Sequence, residues 1–143
     1  MNPESPLPYR KSPRLKDYDY SQEGAYFVTI CTQNRLHLFG DISGDTMELN
    51  PAGIMVSDWW EKLPSKFADI ELDLTVVMPN HFHGIVIRNA LAESTPNDAG
   101  QRVAARATPT LGTIVGSFKS KSINDTIAHI KENRLDIDRK SVV

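Results

Sequence analysis

Hydrophobic residues are densest in residues 76–87, and the pattern around this stretch predicts two β-strands. Residues 70–78 form the first strand and residues 81–88 the second, and the turn residues Pro79 and Asn80 lie between them, so we expect a hairpin. In the second strand both alternating faces carry apolar side chains. Such a strand is usually central in its sheet and covered on both sides.

Three further stretches favour sheet. Residues 25–33 are dense in β-branched and aromatic side chains and predict a clear strand. Residues 36–39 and 46–49 predict two short strands, and residues 40–45 are expected to turn between them. We therefore expect three strands before the hairpin, two of them short.

The first predicted helix follows these strands. Asn50 and Pro51 make a good helix start, because Asn caps free backbone N–H groups and Pro suits the first turn. The apolar stripe that follows is expected to kink or end at Pro64. The adjacent Trp59 and Trp60 diverge by about 100° on a helix, so one of them is expected at the edge of the core. Core packing is favoured over base stacking for both.

The second predicted helix comes late in the chain. Residues 110–133 carry an apolar stripe with one slip in register, which predicts a helix with a break near residues 120–122. Thr108 is expected to cap this helix, with Pro109 in its first turn. Residues 89–109 lack periodicity and are interpreted as a long loop.

The order of the longer predicted elements is strand, helix, strand, strand, helix. This order predicts an α+β fold of the ferredoxin-like kind, an antiparallel sheet with helices packed on one face, and a final strand or helix is missing from it. Residues 1–24 contain four prolines and several charges and predict an extended basic arm. The domain proper is then residues 25–134, with the loop at 89–109, and residues 135–143 are a tail.

Composition and charge narrow the class of protein. The 143 residues are 40% hydrophobic and have a net charge of −2, which is typical of one globular domain and gives no general attraction to nucleic acid. The single cysteine, Cys31, cannot form an internal disulfide and fits a reducing compartment. Because the sequence shows neither a signal peptide nor a membrane-spanning apolar run, we expect a cytoplasmic protein without a membrane partner.

His81 and His83 are the candidate chemical groups of the second hairpin strand. Their spacing puts both imidazoles on one face at the strand end, where they can ligate one metal ion. Asn80 precedes them and can hydrogen-bond a phosphate or an imidazole. The spacing alone is a weak signal, because most histidines are structural or solvated. A catalytic metal also needs a third ligand, a carboxylate or an amide, and open coordination positions.

Several segments together resemble one protein family. Residues 78–87, Met-Pro-Asn-His-Phe-His-Gly-Ile-Val-Ile, resemble the HUH motif (histidine, bulky apolar residue, histidine) of the small single-tyrosine transposases, in particular the REP-associated tyrosine transposases. Residues 14–20 and 24–35 are similar to the opening of that family, and residues 111–120 resemble its helix after the histidine strand. The likeness extends over residues 10–134, which is most of the chain.

The resemblance implies a mobile-element enzyme for DNA transposition and recombination. Members of this family bind hairpin single-stranded DNA and cut and rejoin it through a 5′-phosphotyrosine link. A divalent metal ion, Mg²⁺ or Mn²⁺, polarises the scissile phosphate. By this likeness His81 and His83 are metal ligands, hairpin single-stranded DNA is the partner, and a homodimer is an expected form of the protein.

The sequence departs from the family at the nucleophile. In the family the attacking tyrosine lies on a helix well after the histidine strand, whereas this chain has tyrosines only at positions 9, 18, 20 and 26. No catalytic residue is therefore identified here. We expect a C-terminally truncated copy whose nucleophilic tyrosine would lie beyond Val143, and we expect that this chain does not cleave DNA by itself.

DNA-binding residues are predicted in the arm, beside the histidine pair and on the second helix. In the arm basic residues alternate with tyrosines, and such side chains can follow a nucleic-acid backbone and stack on bases. In the second helix two lysines lie on the polar side. The predicted contacts are Arg10, Lys11, Arg14, Lys16, Asn80, Lys119 and Lys121.

Two other interpretations stay open. The first is a non-catalytic remnant or regulator that binds hairpin DNA and does not cut it. The second is a metal hydrolase with no connection to DNA. It would need a carboxylate close to the two histidines, for which Glu71 and Asp73 on the neighbouring strand are the candidates.

Overall fold

The fold is described from a computed structural model, which covers residues 14–90 and 108–132. The described residues form an α+β domain with an antiparallel sheet and helices packed on it, as the sequence predicts. In chain order the elements are β1 (Gly24–Cys31), a 3₁₀ turn (Gln33–Arg35), β2 (Gly40–Ser43), β3 (Thr46–Leu49), α1 (Pro51–Glu61), α2 (Leu63–Lys66), β4 (Ile70–Met78), β5 (His81–Arg88) and α3 (Leu111–Glu132).

The main sheet has three strands in the order β1-β5-β4, and both pairings are antiparallel. The histidine strand β5 is therefore central, as its apolar composition predicts. Strands β1 and β4 are parallel to each other on either side of it, which is the split βαβ arrangement of ferredoxin-like folds. The shorter strands β2 and β3 form a separate antiparallel hairpin.

The core lies between the sheet and the helices, and Trp60 is at its centre. Its side chain is fully buried, and its ring meets Phe82 of β5 and Phe118 of α3 edge-on, with centroids 4.7 and 5.1 Å away. Gly84 lies directly below the indole, because a Cβ at this position would be only 2.3 Å from the Trp60 ring. Trp60 thus packs on the backbone of β5 itself.

The other face of the sheet is not covered by any described residue. Along β5 the buried positions alternate with half-buried ones, and the half-buried face is the one that carries the histidines. Its neighbours include Phe27 and Val76, which are 68% and 50% exposed. The expectation that both faces of β5 are covered is therefore not met within residues 14–90 and 108–132. The histidine pair lies on an open, largely apolar surface.

Two of the predicted helix features are confirmed. The side-chain oxygen of Asn50 accepts a hydrogen bond of 2.9 Å from the backbone N–H of Gly53, so Asn50 caps α1. The regular helix ends at Glu61, and Pro64 lies in the first turn of the short helix α2. The proline therefore separates two helices, as expected from its missing N–H.

The predicted extent of the last helix, residues 110–133, agrees with α3, whereas its predicted cap and break are wrong. The hydroxyl of Thr110 accepts the N–H of Thr113 at 3.3 Å, so Thr110 rather than Thr108 takes the capping position. Helix α3 continues without a break through residues 120–122. The Ser122 hydroxyl donates to the carbonyl of Phe118 at 2.7 Å, which satisfies this polar side chain inside the helix.

The first short strand also differs from its prediction, because β2 covers part of the expected turn and residues 36–39 are not in a strand. Backbone hydrogen bonds explain the shift: Phe39 donates to Pro79 and accepts from Asn50, each at 3.0 Å. Phe39 is also buried in the core. Residues 36–39 therefore join the β4–β5 turn to the start of α1, and β2 begins only at Gly40.

Several predicted regions lie outside the described residues. These are the arm up to residue 13, including Tyr9, Arg10 and Lys11, most of the loop at 89–109, and the tail at 135–143. In the described part of the chain, no helix combines the length and hydropathy needed to cross a bilayer.

Candidate functional site

His81 and His83 lie side by side on the open face of β5, next to the β4–β5 turn. The two imidazole centroids are 4.8 Å apart and the ring planes are inclined at 74°. The pairing register places Cys31 and Met78 on either side of His81. The predicted placement of both imidazoles on one face is thus the observed one.

The ring of His81 is oriented by Asn80. Nδ1 of His81 lies 2.7 Å from Oδ1 of Asn80, and the amide nitrogen of Asn80 donates to the carbonyl of Arg35 at 3.3 Å. Because the amide nitrogen is used in this way, the oxygen faces the histidine, and this oxygen can only accept. Nδ1 of His81 is therefore the donor. In the neutral ring the lone pair is then on Nε2, where it can bind a metal ion.

The ring of His83 is held by β1. Its Nδ1 lies 2.9 Å from the hydroxyl of Thr29, and its plane stacks on Phe27 at a centroid distance of 5.2 Å. No described residue makes a hydrogen bond to Nε2 of either His81 or His83. Hydrogen bonds to the second nitrogen of a ligating histidine are the usual way in which proteins orient such a ligand. The arrangement therefore fits two metal ligands on one open face.

The protonation of His81 favours the same role. Burial lowers its pKa below the usual value, and the electrostatic influence of the neighbouring His83 and Arg35 lowers it further. His81 is therefore neutral at neutral pH. A neutral imidazole is the form that ligates a metal ion.

Arg35 is a site residue that sequence reasoning missed. It follows β1 in the 3₁₀ turn, its carbonyl holds Asn80, and its charge acts on His81. Both Asn34 and Arg35 have φ near +54°, a conformation that non-glycine residues seldom adopt and that tends to occur at functional sites. The position of Arg35 in the chain could have indicated this role. Because β1 and β5 are antiparallel, the residues that follow β1 lie next to the first residues of β5, where His81 is. Arg35 supplies a cation that can meet a phosphate beside the histidines.

The candidate carboxylates are not next to the pair. Glu71 lies opposite Ile87, about 13 Å along β5 from His83 at the usual strand rise, and it accepts a hydrogen bond from Asn89. Asp73 lies in the irregular step of β4 between residues 72 and 75. In residues 14–90 and 108–132, no group of three His, Cys, Asp or Glu side chains is placed to hold a metal ion. Neither carboxylate that the hydrolase interpretation requires is therefore placed with His81 and His83 to hold a metal ion.

The predicted DNA contacts are not brought together on one surface. Arg14 and Lys119 line one groove of about 570 Å³ along β1, whereas Lys121 faces a different groove on α3. Asn80 is beside the histidines, with both ends of its amide already engaged. Lys16 is exposed in the arm. Each of these contacts stays a prediction.

The described tyrosines are at the other end of the sheet from the histidines. Tyr18, Tyr20 and Tyr26 form a ring cluster with centroids 4.8 to 6.4 Å apart, and Tyr26 pairs with Val86. The Tyr26 side chain is on the covered face, where its hydroxyl donates to the carbonyl of Gln22 at 2.9 Å. Burial, with a smaller effect of Tyr18, raises the pKa of Tyr26 to about 12. Tyr26 is thus neither close to the histidine pair nor easily ionised.

Comparison with known proteins gives one informative match. The chain is 39% identical over 120 residues to an uncharacterized protein of Haemophilus influenzae, a match that covers 78% of this chain and 65% of that protein. No family model matches the chain, and a search of the solved structures finds no match. Since the relative is itself uncharacterized, a functional conclusion has to be argued from the site.

Proposed function

We propose that this protein is a metal-dependent DNA transposase of the REP-associated tyrosine type, which binds hairpin single-stranded DNA at the histidine face. One observation carries the proposal. His81 and His83 present Nε2 on one open face, while Asn80 and Thr29 hold the Nδ1 atoms. Ligating histidines are usually oriented in this way, through a hydrogen bond to the ring nitrogen that does not bind the metal.

The chemistry follows from an open site with two nitrogen ligands. A divalent ion held there would polarise a phosphodiester and would stabilise the charge that develops on it. His81 and His83 would hold this ion, and the guanidinium of Arg35 would attract the same phosphate. Imidazole ligands suit Mn²⁺ better than Mg²⁺, so we expect Mn²⁺ to bind more tightly.

The tyrosines favour binding without cleavage by this chain. Family members attack the phosphate with a tyrosine that follows the histidine strand, and this sequence has none after position 26. Tyr26 is buried with a pKa raised to about 12. A non-catalytic DNA-binding role is therefore the second candidate function. A homodimer also stays a prediction.

Removal of either histidine is expected to weaken Mn²⁺ binding by about 100-fold, because each imidazole supplies one of two protein ligands. The measurement is calorimetric titration of the full chain with Mn²⁺, comparing wild type with His81→Ala and His83→Ala. His37→Ala is the matched control, since this exposed imidazole faces Asp41 instead. A double variant, H81A/H83A, that binds Mn²⁺ as wild type does would refute the metal site.

The same proteins decide between the two candidate functions. We expect hairpin single-stranded DNA to bind more tightly with Mn²⁺ than with EDTA, and we expect no covalent protein–DNA adduct on a denaturing gel. If hairpin DNA binds as tightly in EDTA as with Mn²⁺, and as tightly to H81A/H83A as to wild type, the non-catalytic, metal-independent role is favoured. A 5′-phosphotyrosine adduct would show that this chain does cleave DNA.

Thr29→Val tests the orientation of the His83 ring. The substitution keeps the shape of the side chain and removes the hydroxyl that meets Nδ1 of His83. We expect Mn²⁺ affinity to fall by about tenfold, the effect typical of losing such an orienting hydrogen bond. Thr46→Val, on the separate hairpin, controls for the general effect of the substitution. An unchanged affinity in Thr29→Val would mean that the hydroxyl does not orient the ligand.

A further inference from the structure

A second candidate binding site lies among the helices, on the other side of the sheet from the histidines. It is a groove of about 150 Å³ between the α1–α2 segment and α3. Leu63 and Phe118, both core residues, form its apolar floor, and Trp59 forms a wall. Three lysines line it as well: Lys62, Lys66 and Lys121. We call this the lysine groove.

The ammonium groups of the lysine groove contact an aromatic ring and a hydroxyl. Lys62 and Lys121 hold their ammonium groups 4.7 and 5.7 Å from the centre of the Trp59 ring, and Lys66 donates to the hydroxyl of Ser117 at 2.6 Å. Within the described residues, none of the three lysines forms an ion pair with a carboxylate. Three cations around one small groove repel each other, and an anion would relieve this repulsion.

Trp59 is fixed in this groove by a polar contact. Its indole N–H donates to the carboxylate of Asp125 on α3, which places one negative charge beside the three lysines. The indole is only partly buried, in contrast to Trp60, and it extends from the core to the groove. When the ammonium groups of Lys62 and Lys121 move from this ring to a phosphate, the ring offers a stacking surface to a planar group.

The size of the groove selects among anionic ligands. A cavity of about 150 Å³ with apolar walls holds a single aromatic ring. The apolar floor and the indole suit such a ring, and the lysines suit a phosphate attached to it. An acidic peptide would satisfy the charge and leave the apolar floor without a partner.

We infer that the lysine groove binds one unpaired nucleotide, with the base against Trp59 and the phosphate on Lys62, Lys66 and Lys121. The inference rests on the proposed binding of single-stranded DNA and adds a second contact to it, on the opposite side of the sheet from His81. A free mononucleotide carries the same base and phosphate as a nucleotide in a DNA strand. The experiment therefore includes both a DNA strand and a free mononucleotide.

The test uses the tryptophan fluorescence of the full chain in EDTA, which separates the groove from any metal at the histidines. The ligands are an eight-nucleotide thymidine strand, an abasic strand with the same number of phosphates, and thymidine monophosphate. Trp60 is fully buried, so quenching by a base reports on Trp59, and Trp59→Phe verifies the assignment. We expect the thymidine strand to quench the emission more strongly than the abasic strand.

Charge reversal in the groove supplies the matched comparison. Lys121→Glu is expected to weaken binding of the thymidine strand about tenfold and to reduce its salt dependence. Lys131→Glu makes the same charge change further along α3, outside the lining of the groove, and should alter binding less than twofold. Lys66→Glu is a second test at a different wall, and a thermal melt of each variant verifies that it is folded.

The outcomes separate this inference from the proposed function. Equal quenching by the thymidine and abasic strands, or equal effects of the Lys121 and Lys131 variants, would overturn the nucleotide site. Equal binding of an octaglutamate peptide would overturn it in favour of an acidic peptide. Lys121-dependent binding of the monophosphate alone would support the groove with a free nucleotide as its source. Base-dependent quenching in a protein that binds no Mn²⁺ would support the groove and refute the metal site.

Discussion

Gly84→Ala is expected to destabilise the protein by about 3 kcal/mol, the upper part of the range for overpacking a core. A Cβ at this position would lie 2.3 Å from Cζ2 and 2.6 Å from Cε2 of Trp60. Trp60 cannot withdraw easily, because it is fully buried and its ring edge meets Phe82 and Phe118. The strand or the indole must therefore move, and either movement breaks packing at the centre of the core.

Urea unfolding followed by circular dichroism measures this effect. The control is Gly116→Ala in α3, where a Cβ meets nothing within 4 Å. This variant should be as stable as wild type or more stable by up to about 1 kcal/mol, since alanine favours a helix over glycine. Combining Gly84→Ala with Trp60→Leu should recover part of the loss, because the two positions share one space. A Gly84→Ala protein as stable as wild type would refute this account of the core.

Arg88→Met is expected to cost about 3–5 kcal/mol, because it leaves the carboxylate of Asp69 buried without its partner. Both side chains are almost completely buried, and a guanidinium nitrogen of Arg88 contacts Oδ2 of Asp69. A second nitrogen donates to the carbonyl of Tyr20 at 3.0 Å. The pair thus joins the end of β5 to the segments before β4 and before β1.

A double-mutant cycle isolates the pair. Asp69→Ala should cost a similar amount, since it leaves the guanidinium buried, and the double variant should lose much less than the sum of the two. Asp41→Asn is the control: it breaks the exposed His37–Asp41 pair, at 3.7 Å, and should cause no measurable change. If Arg88→Met and Asp69→Ala are both as stable as Asp41→Asn, the buried ion pair does not hold this end of the sheet.

Both predictions concern the strand that carries the histidines. Gly84 lies between the two halves of β5, directly after His83, and Arg88 ends the strand. The covered face of β5 is packed on Trp60 and locked by the ion pair, so the open face is held on a rigid element. Rigid support of this kind is what a metal site needs, because its ligands must keep their positions.

Much of the fold could be predicted because its signals are local. The bounds of β4 and β5, the cap at Asn50 and the interruption at Pro64 depend on side chains within a few positions of each other. The prediction failed at residues 36–39, where the hydrogen-bond partners are Pro79 and Asn50. Hydrogen bonds between residues that are distant along the chain produce no periodic pattern in the local sequence.

The position of the candidate site on the strand could likewise be predicted from the sequence. The side chains that surround the two histidines could not. Alternation along a strand places His81 and His83 on one face whatever surrounds them. Their environment depends on pairing register: Thr29 reaches His83 only because β1 lies beside β5, and the carbonyl of Arg35 reaches Asn80, which orients His81, for the same reason. The same register separates Glu71 from the pair.

The sequence by itself determined the three strands of the main sheet, the main helices and the shared face of the two imidazoles, because each depends on local periodicity and capping. Only the tertiary structure decided that this face is open, which ring nitrogens of His81 and His83 are engaged by neighbouring side chains, and that three lysines line one groove beside Trp59. Those features depend on which strands pair and where helices cross. Such choices are made by the packing of the whole core around Trp60, which brings together residues that are far apart along the chain.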